Sequence, residues 1–276
     1  MTKILTLLLL SVILCPFSSS YALPQPEVIY YGQAMDEYGW PYMSGAQVIL
    51  RINDKEYSSY SINGHVSPGV NFILPVLVDD GVEADPYDTK AAHVGDAVTI
   101  VLKVGGSEKP LLTSTIPPID KAGTVTALCI TSGTDTNASG LPDTWEQELV
   151  DNSGGVYTNI TDVKKTDDID HDGVSNWDEY IAGTLAWWDF DYLWLQQWGF
   201  GSAGRLRAAF VSVPGKTYEL QGSADAANLP WMSSAFSVSA SASASLLAGP
   251  FTGSGYQMSL YVGSTNAPMC YRLAVR

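Results

Sequence analysis

The chain has 276 residues, with 29 Asp and Glu against 14 Lys and Arg and a formal charge of −15. A surface this acidic repels nucleic acid and anionic membranes, so neither is expected as a partner. Residues 1–22 read as a secretory leader: Lys3 gives the positive start, ILTLLLLSVIL the apolar run, and Ser20-Tyr21-Ala22 a small-x-small cleavage site. That run is short for a membrane span and no later stretch is longer, so no membrane span is expected. Cys15 opens the alternative of a lipid anchor, but Leu14 stands where such a leader wants a small residue. Cleavage near Ala22 would leave a secreted, periplasmic or cell-surface protein.

Residues 23–132 read as an antiparallel β domain. EVIYYGQ, AQVILRI, EYSSYSI, VNFILPVLV, DAVTIVLKV and TVTALCI are short β-branched and aromatic runs, parted by turn signals such as DEYG, NDK and GGSE. That number of short strands predicts a sandwich large enough to bury its own core. The acidic loop over 79–96 holds Asp79, Asp80, Glu83, Asp85, Asp88, His93 and Asp96. It lacks fixed ligand spacing and is expected to be a solvated cap, with a further ion as the alternative.

Residues 133–187 carry the most specific pattern. In DIDHDGVSNWDE, counted from Asp168, carboxylates fall at positions one, three and five (Asp168, Asp170, Asp172), Gly173 is sixth and Glu179 twelfth. This is the spacing of an EF-hand calcium loop, which turns alternate oxygens onto one hard cation. Val174 would give its carbonyl, Asn176 would reach the ion directly or through water, and Glu179 would close the shell. His171 points outward in such a loop. A second copy, DTNASGLPDTWE, places Asp135, Asn137, Ser139, Leu141, Asp143 and Glu146 at the ligand positions. It carries one carboxylate fewer, so weaker binding is expected there. Two Ca²⁺ ions are thus expected, the tighter at 168–179. A short helix should follow each loop, with Trp145 on one and Trp177 and Tyr180 on the other as apolar faces. Between Asp135 and Asp191 there are 14 acidic residues against Lys164 and Lys165 alone; bound divalent ions would offset that repulsion.

SGLPDTWE followed by DIDHDGVSNWDEYIAGT resembles the paired calcium motif of thrombospondin type 3-like and dockerin-like repeats in modular secreted bacterial proteins. The resemblance implies a calcium-ordered, EF-hand-like connector. Where the family continues AGT into Asp-Pro, this chain has Leu185, Ala186 and Trp187 after Thr184. The two loops also differ from each other, so a dockerin's partner recognition is not carried over. More weakly, GQAMDEYGWPYMSGAQVIL is similar to the opening of transthyretin-like and carboxypeptidase-regulatory-like β domains, which implies a structural module.

LAWWDFDYLWLQQWGFG follows, dense in aromatic residues. The expectation is a first strand and its packing; the alternative is a strip of Trp187, Trp188, Tyr192, Trp194 and Trp198 stacking on a polysaccharide or other cell-surface component. Residues 188–276 read as a second β-sandwich, with strands in RLRAAFVSV, KTYELQGS, FSVSASASASL, YQMSLYV and CYRLAVR. Its wording resembles the small sandwich that closes many bacterial surface proteins. Cys129 and Cys270 sit in strand-like runs and are expected to be buried free thiols, although secretion would permit a bridge. No G-x-S-x-G elbow or H-E-x-x-H helix occurs, and no catalytic residue is assigned. The expected fold class is mainly β, two small antiparallel β-sandwich domains joined by a short α-helical calcium-binding connector. The expected function is non-enzymatic and modular.

Overall fold

A computed structural model describes residues 26–79, 88, 90–112, 115–195, 197–200, 205–224, 230–241, 244–262 and 270–275. The leader, its cleavage site and Cys15 lie outside them, as do Asp80, Glu83 and Asp85 of the acidic loop. The protein is mainly β, built from several small sheets with two α-helices among the described residues.

The first unit holds β1 (Val28–Met35), β2 (Ser44–Ile52), β3 (Lys55–Asn63), β4 (Phe72–Val76), β5 (Val78–Asp79), β6 (Ala92–His93), β7 (Thr99–Val104), β8 (Ser107–Lys109), β9 (Leu111–Leu112) and β10 (Val125–Ser132). One four-stranded sheet runs β4-β1-β10-β9 and the other β3-β2-β7-β8. The alternating apolar residues foreseen from period-two patterning bury a common core: Val28, Tyr30, Phe72 and Leu74 from one sheet, Val48, Leu50, Ile100 and Leu102 from the other. At two pairs the expectation of antiparallel sheets is corrected: the short β5–β6 ladder is parallel, and so is a longer one. β1 and β10 are parallel, from Ile29↔Val125 to Met35↔Thr131. Period-two alternation is the same for either neighbour direction, so it could not report this pairing.

Gly32 makes the parallel pair possible. A Cβ there would overlap the backbone carbonyl of Leu128. Beside it, the fully buried Asn71 bridges the end of β1 to the next turn: its Oδ1 accepts from Ala34 N (2.8 Å), and its Nδ2 donates to the Ala34 and Tyr42 carbonyls (2.9 Å each).

Between β10 and the last unit lie α1 (Asp143–Asn152) and α2 (Asn176–Ala182). In α1, Trp145 and Leu149 stand one turn apart on the buried face, while Asp143 and Glu146 in the first turn suit the positive end of the helix. Ser175 caps α2 by accepting from Asp178 N, and Gly183 ends it at φ 78°, a left-handed stop that glycine takes without strain. Leu141, Trp145, Leu149, Tyr157, Val163, Tyr180 and Ala186 form a hydrophobic cluster of their own. Trp145 meets Tyr180 edge-on at 5.4 Å between centroids.

The last unit comprises β11 (Gln197–Phe200), β12 (Leu206–Val211), β13 (Thr217–Ser223), β14 (Met232–Ser233), β15 (Phe236–Ser237), β16 (Phe251–Thr252), β17 (Gln257–Val262) and β18 (Cys270–Val275). One sheet runs β11-β12-β17-β15; in the other, β13 pairs with β14, β16 and β18. Phe210, Tyr218, Leu220, Phe236 and Leu260 fill the space between. The Ser-Ala run expected as a strand gives one only at Phe236–Ser237, and its described continuation is bend and coil. Such small side chains bury too little area to hold a strand on the sheet. Cys129 and Cys270 are free, and neither is buried: Cys129 is exposed and Cys270 half-buried. Each takes a position that alternation turns away from the core.

The three units meet at Lys216, in the turn before β13. Its side chain is buried, and Nζ donates to the carbonyls of Ile181 (2.6 Å) and Tyr180 (3.3 Å) at the end of α2. Next to it, the Gly215 carbonyl accepts from Gln33 Nε2 of β1 at 3.2 Å. Burial holds the Lys216 amine down at about 8. We expect Lys216→Ala to destabilise the seating of the last unit by about 3 kcal/mol, since it leaves a void and removes a buried donor from two carbonyls. Lys216→Met, which keeps the stem, should cost less. Limited proteolysis and chemical denaturation of the two variants check this ordering.

Candidate metal centre

Loop 168–179 folds through its own carboxylates. Asp168 accepts from the backbone N of His171 (2.8 Å) and of Gly173 (2.9 Å), Asp170 from Asp172 N (3.2 Å), and Asp172 from Val174 N (2.7 Å). These short-range bonds wind the chain so tightly that His171 and Gly173 take positive φ, 65° and 96°. His171 is exposed, as expected. The winding brings one oxygen from each of Asp168, Asp170 and Asp172 within 4.8 Å of one another. Among the described residues this is the one such cluster.

Glu179 adds the fourth carboxylate, from the first turn of α2. It is fully buried. Its Oε1 is reached by Thr184 Oγ1 at 3.4 Å, whereas Oε2 has no hydrogen-bond partner. Asp170 Oδ2 and Asp172 Oδ2 are likewise buried and unpartnered. Three carboxylate oxygens withdrawn from water without donors is a costly arrangement. The Glu179 carboxyl is pushed up to about 8, first by burial and then by the charges of Asp170, Asp172 and Asp168. Asp170 rises to about 6, chiefly by burial, with Asp172 and Asp168 adding to it. The nearby lysine does not relieve them: Lys165 Nζ lies over the Trp177 ring, 4.0 Å from its centroid. Such a set of hard oxygens suits a divalent cation of the calcium or magnesium kind.

Asn176 is the first residue of α2 and is fully buried; its Nδ2 donates to the Lys164 carbonyl (2.9 Å) and to Tyr157 Oη (3.2 Å), and its Oδ1 is unpartnered. Its amide therefore ties the loop to the segment before it. Val174 is half-buried.

The earlier loop has the same spacing and a different interior. Glu146 is fully buried too, but both its oxygens accept from Asn137 Nδ2, at 3.1 and 2.9 Å. The same amide reaches the Ile160 carbonyl at 3.2 Å. Asp135 accepts from Ser139 N and Gly140 N, and Ser139 Oγ accepts from Leu141 N. Both Asp143 oxygens are engaged by threonines, Oδ1 with N and Oγ1 of Thr136 within the loop, and Oδ2 with Oγ1 of Thr134 just before it. Protein donors thus meet the carboxylates of this loop, and an ion would have to displace the Asn137 amide from Glu146.

The other candidates separate. In the acidic loop Asp79 pairs with His93 across the short parallel β5–β6 ladder, and His93 Nδ1 stands 3.9 Å from Asp96. Among the described residues of the aromatic segment, no strand precedes Gln197. Trp187 packs on the helical cluster, whereas Trp188 and Trp194 are half exposed and Phe190 more so. Tyr192 and Trp194 lie 5.5 Å apart at 49°. Trp198 belongs to β11; its side chain lies outside the described residues.

Comparison with protein-family models, with curated proteins and with solved structures gives no match for this chain. The likeness to thrombospondin type 3-like and dockerin-like repeats therefore rests on the loop residues alone. No helix of the described residues is long and apolar enough to cross a membrane.

The raised Glu179 value gives a pH dependence with a definite sign. Its folded value, about 8, lies above the ordinary 4.5, so its contribution to stability is complete below about 4.5 and is lost as pH rises through 8. In chelator, wild type should lose stability relative to Glu179→Gln as pH is raised over that window. Parallel melting profiles for the two proteins would show that Glu179 is not held protonated. Calcium affinity should rise over the same window, because proton and ion compete for one carboxylate.

Proposed function

We propose that this is a secreted, non-enzymatic, modular calcium-binding protein in which Ca²⁺ orders the connector between two β units. The observation that carries the reading is Glu179: a fully buried carboxylate, one oxygen unpartnered, facing the charges of Asp168, Asp170 and Asp172. Asp168, Asp170, Asp172, Val174, Asn176 and Glu179 hold the tighter ion. Asp135, Asn137, Ser139, Leu141, Asp143 and Glu146 hold the weaker one, whose carboxylates already have protein donors. Calcium is favoured over magnesium because twelve-residue loops of this spacing offer the larger, more flexible shell. Extracellular sites of this kind have dissociation constants of about 10⁻⁴ to 10⁻³ M.

The mechanism is linkage: an ion that binds the ordered connector and not the unfolded one stabilises the ordered state. At a hundredfold excess over its dissociation constant, one ion contributes ~2.7 kcal/mol. In millimolar calcium the protein should melt higher, and resist proteolysis between 133 and 187 better, than in chelator. Glu179→Gln should remove the tighter site from calorimetric titrations while both β units keep their spectra. Unchanged stoichiometry in that variant would overturn the assignment.

A second reading is favoured by the exposure of Trp188, Phe190 and Trp194. These could stack on sugar rings of a polysaccharide or other cell-surface component. Trp188→Ala combined with Trp194→Ala should then abolish retention on a glycan array, with calcium binding untouched; absence of any glycan retention by wild type counts against it.

A further inference from the structure

Where the first unit meets the helical segment, a cleft of about 330 Å³ opens. Tyr38 and Trp40, from the turn joining β1 to β2, line it together with Trp145 of α1; Gly183, Thr184 and Leu185, just past α2, complete it. Two carboxylates share the cleft, Asp36 and Glu148. Asp36 Oδ1 accepts from Tyr38 N (3.0 Å) and Trp40 N (2.9 Å), which shapes the turn and sets both aromatic residues at the mouth. Its Oδ2 and the Glu148 carboxylate accept no hydrogen bond among the described residues, and neither group has an ion-pair partner there. The buried Lys216 ammonium favours the charged form of Asp36 through space, but its hydrogen bonds go to the Tyr180 and Ile181 carbonyls.

This is an unusual lining for an apolar cleft. A half-buried Glu148 carboxylate without a donor, and a half-buried Asp36 with donors on one oxygen only, raise the energy of the empty cleft, and a cation would offset that cost. Aromatic faces carry negative charge density and attract cations in the same way. The potential is felt at the mouth: burial first, then the charges of Glu148, Glu37 and Asp36, holds the Tyr38 phenol above its usual range. A neutral sugar would gain stacking on the rings but would leave the carboxylate charge uncompensated. The volume stands at the small end for ligand pockets, which suits a compact head group.

We infer that this cleft binds a small free organic cation, an alkylammonium or quaternary ammonium compound, with Tyr38, Trp40 and Trp145 as its aromatic wall and Asp36 and Glu148 as counter-charges. The site is separate from loop 168–179, and titrating calcium into the same variants tells the two apart. The test compares choline with its uncharged carbon isostere, 3,3-dimethylbutan-1-ol, and with glucose, by calorimetry and saturation-transfer NMR on the full chain. Choline should bind at least about tenfold tighter than the isostere. Trp40→Ala and Glu148→Gln should each weaken choline binding about fivefold or more, consistent with one lost cation–π or charge contact, and leave calcium titrations unchanged. Equal affinity for choline and the isostere, binding of glucose but not choline, or no choline signal from a protein that binds calcium normally would each overturn the inference.

Discussion

Burial of Glu179 beside three aspartates is the constraint on which the middle of this molecule turns. The residue is the fourth of α2, and its backbone carbonyl accepts from Gly183 N and Thr184 N as the helix closes. Its backbone is therefore fixed by the closure of a helix of seven residues, itself too short to stand alone. The next two residues give their carbonyls to Lys216. A charge imbalance at the loop is thus two residues from the place where the last β unit is seated. On the proposed reading, a proton or divalent ion that neutralises the loop would also steady the frame around that seat.

The two loops show how little spacing says about occupancy. Both have glycine at position six and a buried glutamate at position twelve. Among the ligand positions they differ at three, five, seven and nine; at three, Asn137 supplies an amide and Asp170 a carboxylate. The amide donates to the glutamate it faces, so loop 135–146 is internally satisfied. The carboxylate can only accept, so loop 168–179 ends with unpartnered oxygens on Asp170, Asp172 and Glu179. The donor at position three thus helps separate a loop whose buried glutamate is met by an amide from one whose buried carboxylate oxygens are left unpartnered.

Much of this was legible in the sequence because it rests on local rules. Turn residues and alternation gave the strands of the first unit; carboxylate spacing gave the triad; the cap at Ser175 and the stop at Gly183 follow from ordinary helix-end chemistry. What was not legible depends on the neighbour a residue meets. The direction of β10 beside β1 leaves no mark on alternation, although Gly32 marks the close approach. Lys216 sits in a Pro-Gly-Lys turn and reads as a solvated charge, yet it is buried. Asp36, Tyr38 and Trp40 read only as turn and strand-end residues, because the partners that make a cleft of them, Trp145 and Glu148, lie more than a hundred residues on. The Ser-Ala run had the right period and too little side chain to bury.

The cleft and the loops are joined by construction. Trp145 and Glu148 stand on the helix that leaves loop 135–146, and Gly183 to Leu185 follow the helix that leaves loop 168–179. Tyr38 and Trp40 come from the first β unit, where a Cβ on Gly39 would come within 3.0 Å of the Tyr180 ring. Any process that loosens the connector therefore takes two walls of the cleft away from the third. Linkage requires the effect to run both ways: if an ion that orders the loops strengthens binding in the cleft, a ligand bridging the cleft strengthens the ion by the same factor. A short acidic connector would then act as more than a spacer between sheets, because its folding would be read out at a surface that neither β unit possesses alone.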